Sequence, residues 1–293
     1  LAAGAGTDVI AEANPTLDTY VGSTTRLQAT GAITMQSLAY NRADAQAFGI
    51  AISGVLAVGA VLVDANANGT NSVYLLGNVT DAAGTGNGAA SLTMTAKTIS
   101  NATVFGLALA GGLFGAGAGV DAETQANPTV NAYIKGCTIR TSGAVLVEAL
   151  SETNAETDAY GIAVAAVAIG VSLSDATASP TLKAKIGCDA AATPVCSTTA
   201  VYTTSGSITV RALNNMSSAG VVVNNADSNP NGAYAYGNPS GGGVLTGNGA
   251  DVNATASSTL DTQVGSSTTL SPGGAISLSS YTSNLADAKG YGV

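Results

Sequence analysis

From Ala43 to Gly69 the chain alternates without a break. The odd positions read Ala, Ala, Ala, Gly, Ala, Ser, Val, Ala, Gly, Val, Val, Ala, Ala, Gly. The even positions carry Asp44, Gln46, Phe48, Ile50, Ile52, Leu56, Val58, Leu62, Asp64 and Asn66 among others. A period of two sends successive side chains to opposite faces, which is the signature of β-structure. An amphipathic helix needs a period near 3.6 and would not hold this parity over 27 residues. The pattern returns downstream. Ala155, Ala159, Gly161, Ala163 and Ala165 share one face, and Glu152, Asn154, Glu156, Asp158, Tyr160, Ile162 and Val164 share the other. One face is made of small residues, so a second layer can approach it closely. The other is polar at its ends and apolar in the middle.

The alternating stretches belong to a repeat with three landmarks in fixed order. A short strand ending in Gly comes first, at Pro15–Gly22, Ser72–Gly77, Pro128–Gly136, Pro180–Gly187 and Ser258–Gly265. A Gly opening an alternating run follows, at Gly31, Gly88, Gly143, Gly206 and Gly274. An aromatic-Gly-aliphatic triplet closes the unit at Phe48, Phe105, Tyr160 and Tyr291, with Ala219-Gly220-Val221 in the degenerate fourth copy. Five units share 293 residues, about 59 each, and self-similarity at a near-constant period is the mark of stacked repeat architectures. The predicted fold is therefore an all-β, repetitive parallel β-solenoid, one continuous segment over residues 1–293. Each repeat is one wide coil or about three narrow ones, and the long alternation favours the wide coil. The chain stops at Tyr291-Gly292-Val293 where the first unit has Phe48-Gly49-Ile50, and joining Val293 to Leu1 regenerates a repeat. The expectation is a segment of a longer array. Asn-Pro at 14–15 and 127–128 and Ser-Pro at 179–180 mark corners, because Pro cannot donate to a central ladder. The Asn- and Gly-rich stretch 224–249 reads as a projecting loop insertion.

Stacking makes specific pairings expected. Phe48, Phe105, Tyr160 and Tyr291 should form one structural column, with a gap at Ala219. Counted from each opening Gly, Arg211 falls beside Glu148 and Lys97 beside Glu152, two inter-repeat ion pairs.

Composition narrows the function. Only 9% of residues are charged, against roughly 25% in ordinary soluble domains, yet the mean hydropathy of +0.31 is wrong for a disordered chain. The net charge is −9 with no basic stripe, so nucleic acid is not an expected partner. Neither a basic amphipathic helix nor a spanning helix is present, so membrane insertion is not expected. Cys188 and Cys196 bracket a short interruption and are candidates for a disulfide closing a surface loop in an oxidising location. Cys137 is left as a small buried filler.

The search for chemistry returns little. The chain has no His, which removes the usual base of Ser-His-Asp and Cys-His nucleophiles and the commonest zinc ligand. No cofactor is expected. Glu148, Glu152, Glu156 and Asp158 are the densest carboxylates; with one parity they line one face of one strand. Asp64, Asn66 and Asn68 mimic the opening of a calcium loop, but its twelfth position is Leu75 where Glu is required. Sequons at Asn68, Asn78, Asn101, Asn215 and Asn253 mark where sugar could attach.

Two stretches carry a family resemblance: Ala13-Asn14-Pro15-Thr16-Leu17-Asp18-Thr19-Tyr20-Val21-Gly22 and Ala126-Asn127-Pro128-Thr129-Val130-Asn131-Ala132-Tyr133-Ile134-Lys135-Gly136. Each is followed by a Gly-led alternating run and then by the aromatic-Gly triplet. These units resemble repeats of large bacterial surface proteins, the filamentous-haemagglutinin-like and leukotoxin-like filamentous adhesins. The resemblance implies a secreted, extracellular structural filament or adhesin shaft at the cell surface. Its partner would be itself, continuous or docked end to end, with a cell-surface glycan or protein as a possible receptor. It implies no catalytic residue, and an enzyme is not expected. The alternatives are a β-helical enzyme acting on polysaccharide and an outer-membrane β-barrel.

Overall fold

The computed structural model describes residues 2–188, 197–225 and 229–292. It is all-β, with no helix and 72% strand, and it is a parallel β-solenoid. The five coils are four-sided. A broad face is built from Ala32–Ile52, Ser91–Gly111 and Val145–Val164, then from the paired pieces Ile208–Asn214 with Ala233–Gly237 and Ile276–Thr282 with Ala286–Gly290. A counter face stacks Ala2–Glu12, Leu56–Asn66, Gly115–Ala126, Val167–Ala178 and Leu245–Ala256. A shoulder face stacks the six-residue strands Thr16–Val21, Thr70–Leu75, Thr129–Ile134, Thr181–Ile186 and Thr259–Val264. An end face of short strands, from Arg26–Leu27 to Thr268–Ser271, closes the coil.

Each repeat is one wide coil. Val145 lies between Leu92 of the coil below and Ile208 of the coil above, which removes the reading of three narrow turns per repeat. At ~4.8 Å per strand the five coils rise ~24 Å. Every pairing between these strands is parallel. That order rules out the outer-membrane barrel, whose strands are antiparallel.

Residue size sets the shape of the cross-section. Where the broad and counter faces oppose each other, the interior is almost all Ala and Val, from Ala43, Ala45 and Ala47 to Val61, Val63 and Ala65. Glycines take the sheets closer still. A Cβ on Gly161 would stand 2.3 Å from the Val171 carbonyl oxygen, and one on Gly106 would stand 2.5 Å from Val120 Cγ1. The broad, shoulder and end faces instead enclose Leu75, Leu92, Met94, Ile134, Ile139, Leu182, Ile186 and Ile208, all fully buried. The coil is therefore thick at the end-face side and tapers to a thin blade on the other. A polar seam divides the two interiors. Asn41, Ser100 and Thr153 are in register within it. Asn41 Nδ2 donates to the Asn68 carbonyl (2.9 Å), and Asn71 Nδ2 donates to the Lys97 carbonyl (2.7 Å). The seam sits where the counter face bends into the shoulder: Asn41 reaches from the broad face to a carbonyl of that bend, and Asn71 reaches from the shoulder to a carbonyl of the broad face.

Three sequence expectations are corrected. The alternating stretch from Ala43 to Gly69 is not one strand. It runs up the broad face to Ile52, turns through Ser53-Gly54-Val55 and returns along the counter face, with parity kept through the turn. The second opening position is Ala90, not Gly88: Ala90 N donates to the Gly31 carbonyl and Gly143 N to the Ala90 carbonyl. The expected projecting loop at 224–249 is also misplaced. The wall is left after Asn214 and rejoined at Ala233. Ala233, Ala235 and Gly237 take inward positions beside Ala155, Thr157 and Ala159, and Ser240–Gly242 pairs with Ile162–Val164. A polar, Gly-rich composition suggested a loop, but Ala233–Gly237 and Ser240–Gly242 find backbone partners on the strand of the coil below.

Candidate interaction surfaces

The outer wall carries ladders. On the broad face the expected aromatic column is continuous and not straight. Phe48, Phe105, Tyr160, Tyr236 and Tyr291 follow one another with centroids 5.5–5.7 Å apart and rings tilted by 36–46°. In backbone register Phe48 and Tyr160 both lie beside Leu107, while Phe105 lies beside Gln46 and Asp158. The rings thus zigzag between two rows, alternate coils using alternate rows. Tyr236 fills the gap expected at Ala219, because the fourth coil leaves the wall after Asn214 and rejoins it only at Ala233. A second ladder on the shoulder face is straight: Tyr20, Tyr74 and Tyr133 stack at 5.0 and 5.1 Å with their ring planes nearly parallel. Its signal was present in the Pro/Ser-led landmark, whose first three copies each place a Tyr shortly before the closing Gly.

Charge is placed by the same register. Arg211 is directly beside Glu148 and is bonded to it through Nε. Lys97 and Glu152 meet at 2.6 Å across a diagonal, since the shift from Gly88 to Ala90 sets Lys97 beside Leu150. The four-carboxylate line is therefore split. Glu148 and Glu152 are ion-paired, and Glu156 and Asp158 border a hollow of about 180 Å³ with Tyr160, Tyr234, Tyr236, Asp287 and Lys289. That volume is below the ~300 Å³ at which small-molecule pockets usually begin. Burial alone pushes the Asp158 carboxyl above the ordinary range. On the counter face one column reads Asp8, Leu62, Asp121, Leu173, Asp251, so an aliphatic residue separates each carboxylate from the next.

Asp64, Asn66 and Asn68 lie on a strand and the corner after it, not in a loop. The Asn68 carboxamide belongs to a corner ladder: Asn68 N donates to Asn14 Oδ1 (3.1 Å), Asn127 N to Asn68 Oδ1 (2.8 Å) and Ser179 N to Asn127 Oδ1 (2.8 Å). Its oxygen is thereby engaged. Asp64 is raised by burial and then by Glu123, Asp121 and Asp8. Among the described residues no group of three or more His, Cys, Asp or Glu is placed to hold a metal. The Asn215 sequon is likewise committed internally, with Asn215 Oδ1 accepting from Thr153 N at 2.7 Å. Cys188 is buried, and Cys196 lies outside the described residues, as does the bridge expected between them. Cys137 is buried and its thiol is pushed up to about 12.

No protein-family model matches the chain, and no curated protein or solved structure matches it.

Proposed function

We propose that this chain is a segment of an extracellular structural shaft, of the filament or adhesin kind that its repeats resemble, and that it has no catalytic role. The observation that carries the reading is that four faces, two interiors and three ladders run in one register along the stack of coils. Such a stack can be extended in one direction only, along its axis, and each coil templates the next through strand edges that would otherwise pair indiscriminately. The partner of a coil is then another coil, of the same chain or of a neighbouring one. The carboxylates of the broad face serve as register marks in this reading, because two of the four are tied to the coils on either side.

Cryo-electron microscopy of native filaments tests it. The expected result is rods in which 293 residues advance ~24 Å along the axis. Discrete particles that depolymerise a polysaccharide, with activity lost in Glu156→Gln or Asp158→Asn, would overturn the shaft and install the enzyme.

A further inference from the structure

The thin blade is bare on three sides. Phe48, Ile50 and Ile52 stand exposed on its broad flank, and Leu56, Val58 and Ile169 on its counter flank. Its rim consists of turns, and the turns are apolar: Leu113, Phe114 and Val244 are 65%, 64% and 91% exposed. Turns are normally polar, and those at the opposite end of the coil are, as in Ser23-Thr24-Thr25 and Thr204-Ser205. No charged residue occurs in 45–63, 105–120, 159–174 or 233–250, the four stretches that build the blade around its rim turns. The fourth coil is the polar exception on the broad flank, with Asn238 and Ser240, yet its rim keeps Val244 and Leu245.

Part of the rim backbone is bonded from coil to coil. Ser53 N donates to the Gly111 carbonyl, Gly112 N to Val164, Phe114 N to Val55, Ala166 N to Leu113 and Val244 N to Ala166, at 2.9–3.3 Å. Each of these turns is bonded to the next along the stack, which lowers the number of open backbone groups that a medium without hydrogen bonds would penalise.

Geometry selects the occupant. A second rigid copy covers one flank and leaves the rim and the other flank wet. Each flank, five to seven residues wide and five coils tall, offers only about 400–550 Å², short of the roughly 800 Å² per partner of a stable complex. A fluid acyl layer covers all three sides. From the rim to the row of Phe48 is about 16 Å of strand, close to one leaflet of a hydrocarbon core ~30 Å thick. The Tyr-containing zigzag then falls at the headgroup level, where Tyr is favoured. Behind the blade stand Asp8, Asp64, Asp121, Glu123, Asp175 and Asp251, which disfavour an anionic surface. We propose that this edge inserts into one leaflet of a neutral, zwitterionic lipid layer, with the solenoid axis lying in the plane of the layer. The sequence has no basic amphipathic helix for this purpose, and the edge needs none.

The chain has no Trp, so Val244→Trp reports on the rim alone. Mixed with phosphatidylcholine vesicles, its emission should shift to the blue and be quenched by brominated acyl chains, with little dependence on salt. Thr24→Trp, at the opposite end, should show neither. In flotation, Leu113→Asp with Phe114→Asp should lower vesicle partitioning at least about a hundredfold, and circular dichroism should show an unchanged fold, since both side chains are exposed. A Val244→Trp spectrum indifferent to vesicles overturns the proposal. A shift that follows protein concentration without lipid, with a dimer in sedimentation equilibrium, overturns it in favour of a second copy. Neither result depends on whether the shaft forms filaments.

Discussion

At the scale of single residues, the corner asparagines and the half-buried carboxylate of Asp158 make opposite contributions. Asn127 accepts from the backbone of the coil above and donates its own N–H to the side chain of the coil below. Asn127→Ala removes the acceptor for Ser179 N and should cost about 1–2 kcal/mol in urea unfolding, while Asn127→Asp, which keeps an oxygen there, should recover most of it. Asp158 works the other way. Its carboxyl is raised by burial, so its charged form is the costly one. Stability from this group is complete below the unfolded-state value, ~3.9, and is lost as the pH rises through the higher folded value. Asp158→Asn should therefore raise the melting temperature at pH 7, with the difference closing as the pH falls through the carboxylate range and absent near pH ~3. Asp64 is shifted in the same direction, so mild acid should stabilise the fold before other carboxylates protonate.

At the scale of elements, the glycines of the blade distinguish close packing from loose turn chemistry. Gly161→Ala places a methyl against the Val171 carbonyl, at 2.3 Å, and must push the facing sheets away from each other; Gly117→Ala meets nothing within 4 Å. The first should cost about 1–3 kcal/mol and the second within about 0.5 kcal/mol of nothing, measured side by side by chemical denaturation. The strands themselves were legible because parity is local information: each Ala or Gly on the inner face announces its orientation. The ion pair between Glu148 and Arg211 was legible for a similar reason, as both count from a true opening Gly. What could not be read was the register between coils where a landmark shifts from one copy to the next. Counting from Gly88 missed the two-residue offset to Ala90 and made a diagonal contact look direct. Composition misassigned Asn224–Gly249, since Tyr234, Tyr236 and the glycines after them are ordered by Glu156–Val164 beneath them, 78 residues earlier at Tyr236 and Asp158. The three-residue turn at Ser53–Val55 was invisible because it preserves parity.

At the scale of the whole molecule, the cross-section joins two different tasks. The thick interior, with its Leu, Ile and Met, supplies the apolar burial that holds a stack of coils together, and the thin one supplies reach. A blade lined with Ala and Gly has little volume to bury, so it is stabilised chiefly by backbone pairing along the stack and by the ladders on its surface. This division leads to an expectation for the molecule as a whole. Truncating the shoulder core, as in Ile186→Ala, a fully buried side chain, should cost about 2–5 kcal/mol and unfold the segment cooperatively. Replacing Leu113 and Phe114 at the rim should leave the melting temperature where it is. A thermal melt of both variants separates the region that folds the molecule from the region that faces outward.

The two-row zigzag of rings, together with the Asp-Leu-Asp-Leu-Asp column, means that odd and even coils are not interchangeable. Removing the coil that carries Leu62 or Leu173 would bring one aspartate directly onto another; removing two consecutive coils would not. The smallest unit that can be duplicated or deleted in frame with its neighbours is therefore a pair of coils. Length variants of such an array should differ by even numbers, like a fabric whose weave returns only on every second thread.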